Sequence, residues 1–174
     1  MRNYLLWTNE TLSQYGSVSK YVLRHRLGWE TTPDASPSNQ FGYRNETPFA
    51  DTADYRILRN DWPYGLTKDI THLVVWLKTP VAITPEGDPT PDSHKLIEEF
   101  IEQRLKQMIK PNPEYAEQTI WFKQRAQWQS VRALEHIHVL VRGVDESLIE
   151  QWTGMKAEDI TARVWPRKML ESSS

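Results

Sequence analysis

Three histidines and one dense run of charged and aromatic residues carry the chemistry this sequence offers. His136 and His138 stand one residue apart in EHIHVLVRG (135–143), and His72 lies in ITHLVVWLK (70–78). Both segments read as strands, where alternate side chains share a face. The alternation sets His136, His138, Leu140 and Arg142 against Ile137, Val139 and Val141. It likewise sets His72, Trp76 and Lys78 against Leu73, Val75 and Leu77. A third strand, QTIWFKQ (118–124), divides Ile120 and Phe122 from Trp121 and Lys123 in the same way. One sheet face is thus aliphatic and the other collects imidazole, indole and cations. Imidazole is the side chain best suited to general acid–base work near neutrality. The same three histidines are also the donor set of a metal site.

The run RNDWPYG (59–65) places Arg59, Asn60, Asp61, Trp62 and Tyr64 just before the His72 strand. Pro63 fixes one backbone dihedral and Gly65 permits an unusual one. A rigid turn of this kind aims Asp61, Trp62 and Tyr64 at the edge of the polar face. The alternative is packing, with Asp61 as a cap and the two aromatics in the core.

The elements that must hold these residues follow from periodicity and punctuation. Thr8 is a candidate cap for a helix over 9–15, and Ser17 caps VSKYVLRHRL, which Gly28 ends. Residues 30–50 and 79–91 are proline-containing irregular segments, and ADTADYRILRN (51–60 with its flank) reads as a short helix. The clearest helix is 92–109, with Ile97, Phe100, Ile101, Leu105 and Met108 on one stripe. A last helix covers 146–154. The expected architecture is one α+β domain over residues 1–174, with a mainly antiparallel sheet and helices packed on one face.

Composition narrows the function classes. The 174 residues contain no cysteine, which excludes a disulfide scaffold, a thiolate zinc site and a cysteine nucleophile. No apolar run suggests a signal peptide or membrane helix, so a cytoplasmic protein with no membrane partner is expected. The chain has no P-loop, no G-x-G-x-x-G and no G-x-S-x-G elbow. Net charge is −2, yet cations cluster: Lys20, Arg24 and Arg26 within 11–29, Lys123, Arg125 and Arg132 within 118–134, and Arg163, Arg167 and Lys168 within 161–170. Tryptophans 121, 128 and 165 are interleaved with them, a pattern that suits phosphate contact with base stacking.

RNDWPYG, HLVVW, IWF, QSV and EHIHVLV occur in that order across roughly residues 50–145. This series resembles the fungal N-acetylglucosamine-induced protein family; segment 123–128, KQRAQW, differs from the Asn-Pro-containing stretch of many members. Proteins resembling that family include arginine-containing cyclodipeptide synthases. The resemblance therefore implies a synthase that takes arginyl-tRNA and a second aminoacyl-tRNA and releases a diketopiperazine. Aminoacyl esters are already activated, so no cofactor is expected. Such an enzyme must align two amino acids, deprotonate an α-ammonium and stabilise an oxyanion. Asp61 and Glu135 are candidates to fork a guanidinium. His136 or His138 suits the base, Tyr64 or Asn60 the oxyanion donor, and Ser130 an acyl acceptor. Trp62 and Trp121 can flank the second side chain, with Arg59 and His72 completing the lining. Lys20, Arg24, Arg26, Lys123, Arg125 and Arg132 are the expected tRNA contacts. Two other readings stay open: a non-catalytic small-molecule or peptide binding protein, and a metal-dependent enzyme using His72, His136 and His138.

Overall fold

The computed structural model describes residues 2–31, 40–61, 64–125, 129, 131 and 134–158, with side chains from residue 8 onward. Its order is α1 (Arg2–Tyr15), α2 (Val18–Tyr21) running into a π-helical turn (Val22–Leu27), β1 (Tyr55–Arg59), β2 (Ile70–Leu77), α3 (Pro91–Arg104), β3 (Thr119–Phe122), β4 (Glu135–Arg142) and α4 (Glu146–Thr153). The four strands form one antiparallel sheet in the order β1-β2-β4-β3. The fold is α+β.

Local signals explain most of these boundaries. Ser17 accepts a hydrogen bond from the Lys20 amide at 3.1 Å, and Gly28 ends the π turn at φ 62°. Thr90 caps α3 by accepting from the Ser93 amide, and Pro91 occupies its first turn. Thr8, expected as a cap, instead lies inside α1, which starts at Arg2. Residues 52–54 form only a single 3-10 turn, and 55–59 form strand β1, not a helix. The sequence of β1 contains no clean alternation, and pairing with β2, Ile57 against Val75 among others, decides its conformation.

The aliphatic face behaves as its alternation predicts. Ile137, Val139 and Val141 pack with Leu73, Val75 and Leu77 under Ile97, Phe100, Ile101 and Leu105, and all are buried. Met108 departs from the expected stripe: α3 stops at Arg104, and Met108 is exposed beyond it. In β3 the expected phase is reversed. Trp121 pairs with Val139 and packs against the aliphatic core, while Phe122 pairs with His138 on the other face. A strand of four residues at a sheet edge carries large apolar side chains on both faces, Ile120 and Phe122 on one and Trp121 on the other, so only its register with β4 fixes which side chain goes in.

The second face is divided. Leu58, Val74 and Trp76 are covered by Tyr21, Val22, Leu27, Trp29 and Phe41 from the N-terminal segment. Beyond that cover lie His72, Leu140, Ile120 and Phe122, the last two 56% and 37% exposed. The histidines sit at the boundary between these halves. Among the described residues no helix is long and apolar enough to cross a membrane.

Candidate functional site

Adjacent antiparallel strands place His72 and His138 on one face, with His72 opposite Leu140 and His138 opposite Val74. Their rings meet across this diagonal. His72 Nε2 lies 2.9 Å from His138 Nδ1, and Asn60 Nδ2 lies 3.0 Å from His72 Nδ1. The Asn60 amide N–H also donates to the His72 carbonyl at 2.9 Å, so the end of β1 is tied to β2 at this residue. The result is a continuous polar chain, Asn60–His72–His138. Phe122 stacks on the His138 ring at 4.9 Å with 15° between planes, and Tyr64 lies tilted against His72 at 5.4 Å.

His136 belongs to the same face but not to the same chain of bonds. Its ring lies 5.2 Å from that of His138 and 4.7 Å from that of Trp76. Its Nδ1 is 2.8 Å from the Leu134 carbonyl oxygen. A carbonyl only accepts, so Nδ1 carries the proton and Nε2 is the lone pair.

Burial pushes the pKa values of all three histidines down. Desolvation lowers His72 to about 4 and His138 to about 3, the latter helped by its two histidine neighbours. Desolvation also lowers His136, against the pull of Glu135. All three rings are therefore neutral near neutrality, each with one donor nitrogen and one acceptor. His138 Nε2 is buried and has no hydrogen-bond partner among the described residues. An unmet buried polar atom costs about 1–3 kcal/mol, and such an atom at the end of a bonded chain is where a ligand polar group would be satisfied.

The metal reading finds no geometry among the described residues, which hold no cluster of three or more potential ligands. His72 and His138 turn ring nitrogens toward each other instead of toward a shared point.

The RNDWPYG run splits between two tasks. Asn60 and Tyr64 reach His72. Asp61 turns away from them to the Arg26 guanidinium, with Arg26 Nε–Oδ2 at 2.9 Å and Nη2–Oδ1 at 2.7 Å. Asp61 does hold a guanidinium, but one from this chain. Arg59 is buried and directed to Glu146 and the Met155 carbonyl, joining β1 to α4 and the segment after it. Trp62 lies outside the described residues.

Other expected roles are redistributed in the same way. Glu135 pairs with Lys123 at 2.9 Å and accepts from the Val81 and His136 amides, so its oxygens are engaged. Lys123 is only 5% exposed at its side chain and is unsuited to RNA contact. Arg26, at 3%, is equally unsuited. Arg125 forks onto Asp88 at 3.0 and 2.6 Å. Trp121 lies on the helix side of the sheet against His94, 4.8 Å between ring centroids, and cannot flank a ligand at the histidines. Lys20 and Arg24 are exposed. Ser130, Arg132 and the basic segment 161–170 lie outside the described residues. These reassignments share one cause. Spacing along the chain reports which residues are charged, whereas burial selects which charges must find an internal partner.

Phe122 is the site residue that sequence reasoning missed, having been assigned to the core. Leu140, paired with both Ile120 and His72, lies beside it on the half of the face beyond the N-terminal cover. Three clefts, of about 450, 450 and 310 Å³, are lined by α3, the 106–119 segment and the start of α4. None of these contains an imidazole of the site.

Residues 1–142 match the model of a family described as "Protein of unknown function (DUF3605)". The chain is 28% identical over 146 residues to N-acetylglucosamine-induced protein 1 of Candida albicans, an alignment covering 78% of this chain and 56% of that protein. It is 26% identical over 129 residues to Uncharacterized protein YPL067C of Saccharomyces cerevisiae, covering 71% and 59%. The chain thus spans little more than half the length of these relatives. A crystal structure of a protein called HTC1 shares the fold, with a TM-score of 0.54 and 21% identity over 98% of this chain and 83% of that one.

Proposed function

The chain belongs to the DUF3605 family of proteins of unknown function, and from that premise we propose that it is an acyl-transfer enzyme, a tRNA-dependent synthase of arginine-containing cyclic dipeptides. The observation that carries the acyl-transfer reading is the neutral Asn60–His72–His138 chain ending on the buried His138 Nε2, which has no partner among the described residues. A neutral imidazole offers one nitrogen that accepts a proton from an ammonium and one N–H that donates to a carbonyl oxygen. The choice of arginine and of tRNA rests on the resemblance of the ordered motifs to a family that includes cyclodipeptide synthases, and of the expected tRNA contacts Lys20 and Arg24 are exposed for RNA phosphates.

The reaction balances without a cofactor. The α-ammonium of one aminoacyl ester loses a proton, and its amine attacks the carbonyl carbon of the other ester. A C–N bond forms, the C–O bond to the terminal ribose breaks, and the ribose oxygen takes up the proton the attacking nitrogen sheds. Repeating the step within the dipeptidyl ester closes the ring. Two amides, two ribose hydroxyls and two released protons result. A guanidinium in this site needs a carboxylate other than Asp61 or Glu135, both of which serve internal cations. Cytoplasmic residence, where charged tRNA is made, belongs to the same reading.

The test is mass spectrometry of a reconstituted mixture of arginine, a second amino acid, ATP, tRNA, the two matching synthetases and this protein. A cyclic dipeptide that disappears on ribonuclease treatment is expected. Product that persists after ribonuclease removes the tRNA from the reading. No product from folded protein across all twenty second amino acids overturns it in favour of a binding protein.

A further inference from the structure

We propose that the two neighbouring histidines divide the work, His136 Nε2 as proton acceptor and His138 Nε2–H as hydrogen-bond donor to the reacting oxygen, with Asn60 and His72 as the positioning residues that impose this division. The assignment rests on the acyl-transfer reading above and adds to it which ring does what.

Each tautomer follows from the nature of the partner at the far nitrogen. At His136 the partner is the Leu134 carbonyl, 2.8 Å from Nδ1. An oxygen with no proton forces Nδ1–H and leaves Nε2 as a lone pair. At His138 the partner is another imidazole, so the tautomer is set one residue further back. Asn60 presents its Nδ2 amide group to His72 Nδ1 at 3.0 Å. An amide NH2 only donates, which requires a lone pair on Nδ1 and therefore a proton on Nε2 of the neutral ring. That proton is donated to His138 Nδ1 at 2.9 Å, which must then be a lone pair. The proton of His138 is left on Nε2, the buried atom with no partner among the described residues. Two imidazoles on the same strand face, 5.2 Å apart, thus present opposite polarity. One removes a proton from the ammonium, and the other stabilises the charge that develops on the carbonyl oxygen when the freed amine attacks the carbonyl carbon. Phe122 stacked on His138 holds that ring in plane. Asparagine suits position 60 because one end of its side chain donates without carrying charge, whereas an aspartate there only accepts.

Nitrogen-15 NMR of the full chain labelled at histidine tests this directly, since protonated and bare ring nitrogens have separate shifts. The expected wild-type spectrum has His136 protonated at Nδ1 alone and His138 at Nε2 alone. His138 protonated at Nδ1, or His136 at Nε2, overturns the division. Asn60→Asp, read where His72 carries a single ring proton, reverses the chain and moves the His138 proton to Nδ1, with His136 unchanged. An unchanged His138 in that variant overturns the positioning role of Asn60. In the product assay His138→Gln keeps a donor and retains activity within about ten-fold, whereas His136→Gln loses about a hundred-fold or more. The reverse order overturns the assignment. Because the tautomers are read without substrate, a protein that makes no cyclic dipeptide refutes the proposed reaction while the spectrum still decides the histidine roles.

Discussion

Asp61 holds Arg26 through both carboxylate oxygens, at 2.9 and 2.7 Å, and the arginine side chain is 3% exposed. Arg26 also reaches the Arg59 carbonyl and the Met155 sulfur. The pair therefore joins the π turn, the end of β1 and the segment after α4 at one point. A buried guanidinium deprived of its carboxylate is an uncompensated charge, and breaking such a pair costs about 3–5 kcal/mol. Asp61→Asn keeps the shape and part of the hydrogen bonding, so a loss of about 2–3 kcal/mol is expected in urea unfolding. Unchanged stability with abolished product formation would return Asp61 to a chemical role.

The same logic applies to Lys123 and Glu135. Glu135→Gln removes the charge opposite a lysine that is 5% exposed and weakens the acceptors of two backbone amides. A loss of about 2–4 kcal/mol is expected, read as a lower urea midpoint with an unchanged slope. Indifference to the substitution would mean that Lys123 finds water or another partner.

RNA contact is best tested at Lys20 and Arg24, which are exposed. The Lys20→Glu, Arg24→Glu double variant should keep its melting temperature and bind tRNA more weakly. Its slope of log affinity against log salt should fall by about 2 if both contact phosphate. Charge reversal at Arg26 or Lys123 is no test of this, because the fold fails first.

Stability should fall in acid for a definable reason. His72 and His138 sit at about 4 and 3 in the folded chain against an ordinary value of 6.5. The unfolded chain therefore binds protons that the folded chain refuses. Their stabilising contribution is complete above 6.5 and is lost as pH drops through that value toward 4. Each buried histidine contributes a slope of at most about 1.4 kcal/mol per pH unit in this window. Urea midpoints across the range measure it. Replacing His72 and His138 together with Gln and Phe should flatten the limb, and an equally steep limb in that variant would refute the cause.

Gly143 follows β4 at φ 62°, and a Cβ there would meet the Tyr115 ring at 2.6 Å. Gly143→Ala combines left-handed strain with a clash against an aromatic ring that also carries Arg142 over its face, 4.5 Å from the centroid. A loss of about 1–3 kcal/mol is expected. A neutral result in thermal unfolding would mean that Tyr115 moves aside freely.

The sequence by itself determined the aliphatic half of this protein. In β2 and β4 one face was aliphatic at every second position, Leu73, Val75 and Leu77 and then Ile137, Val139 and Val141, and in α3 the apolar stripe had helical spacing, so that face had to go inward. It also placed His72, His136 and His138 on the same sheet face, because a strand cannot turn one of its alternate side chains without turning all of them. Partners were beyond its reach. Nothing in the spacing of Asp61 and Arg26, 35 positions apart, distinguishes an internal ion pair from two surface charges. Nothing in TIWF tells which side of an edge strand faces inward until β4 supplies the register. Tautomers lay further off still, since the proton on His138 is decided by an asparagine two bonds away through His72. In β2, β4 and α3 local pattern fixes which face a residue occupies. The tertiary structure alone decides what that face meets, because desolvation makes each buried charge and each buried imidazole take the nearest partner the packed chain provides.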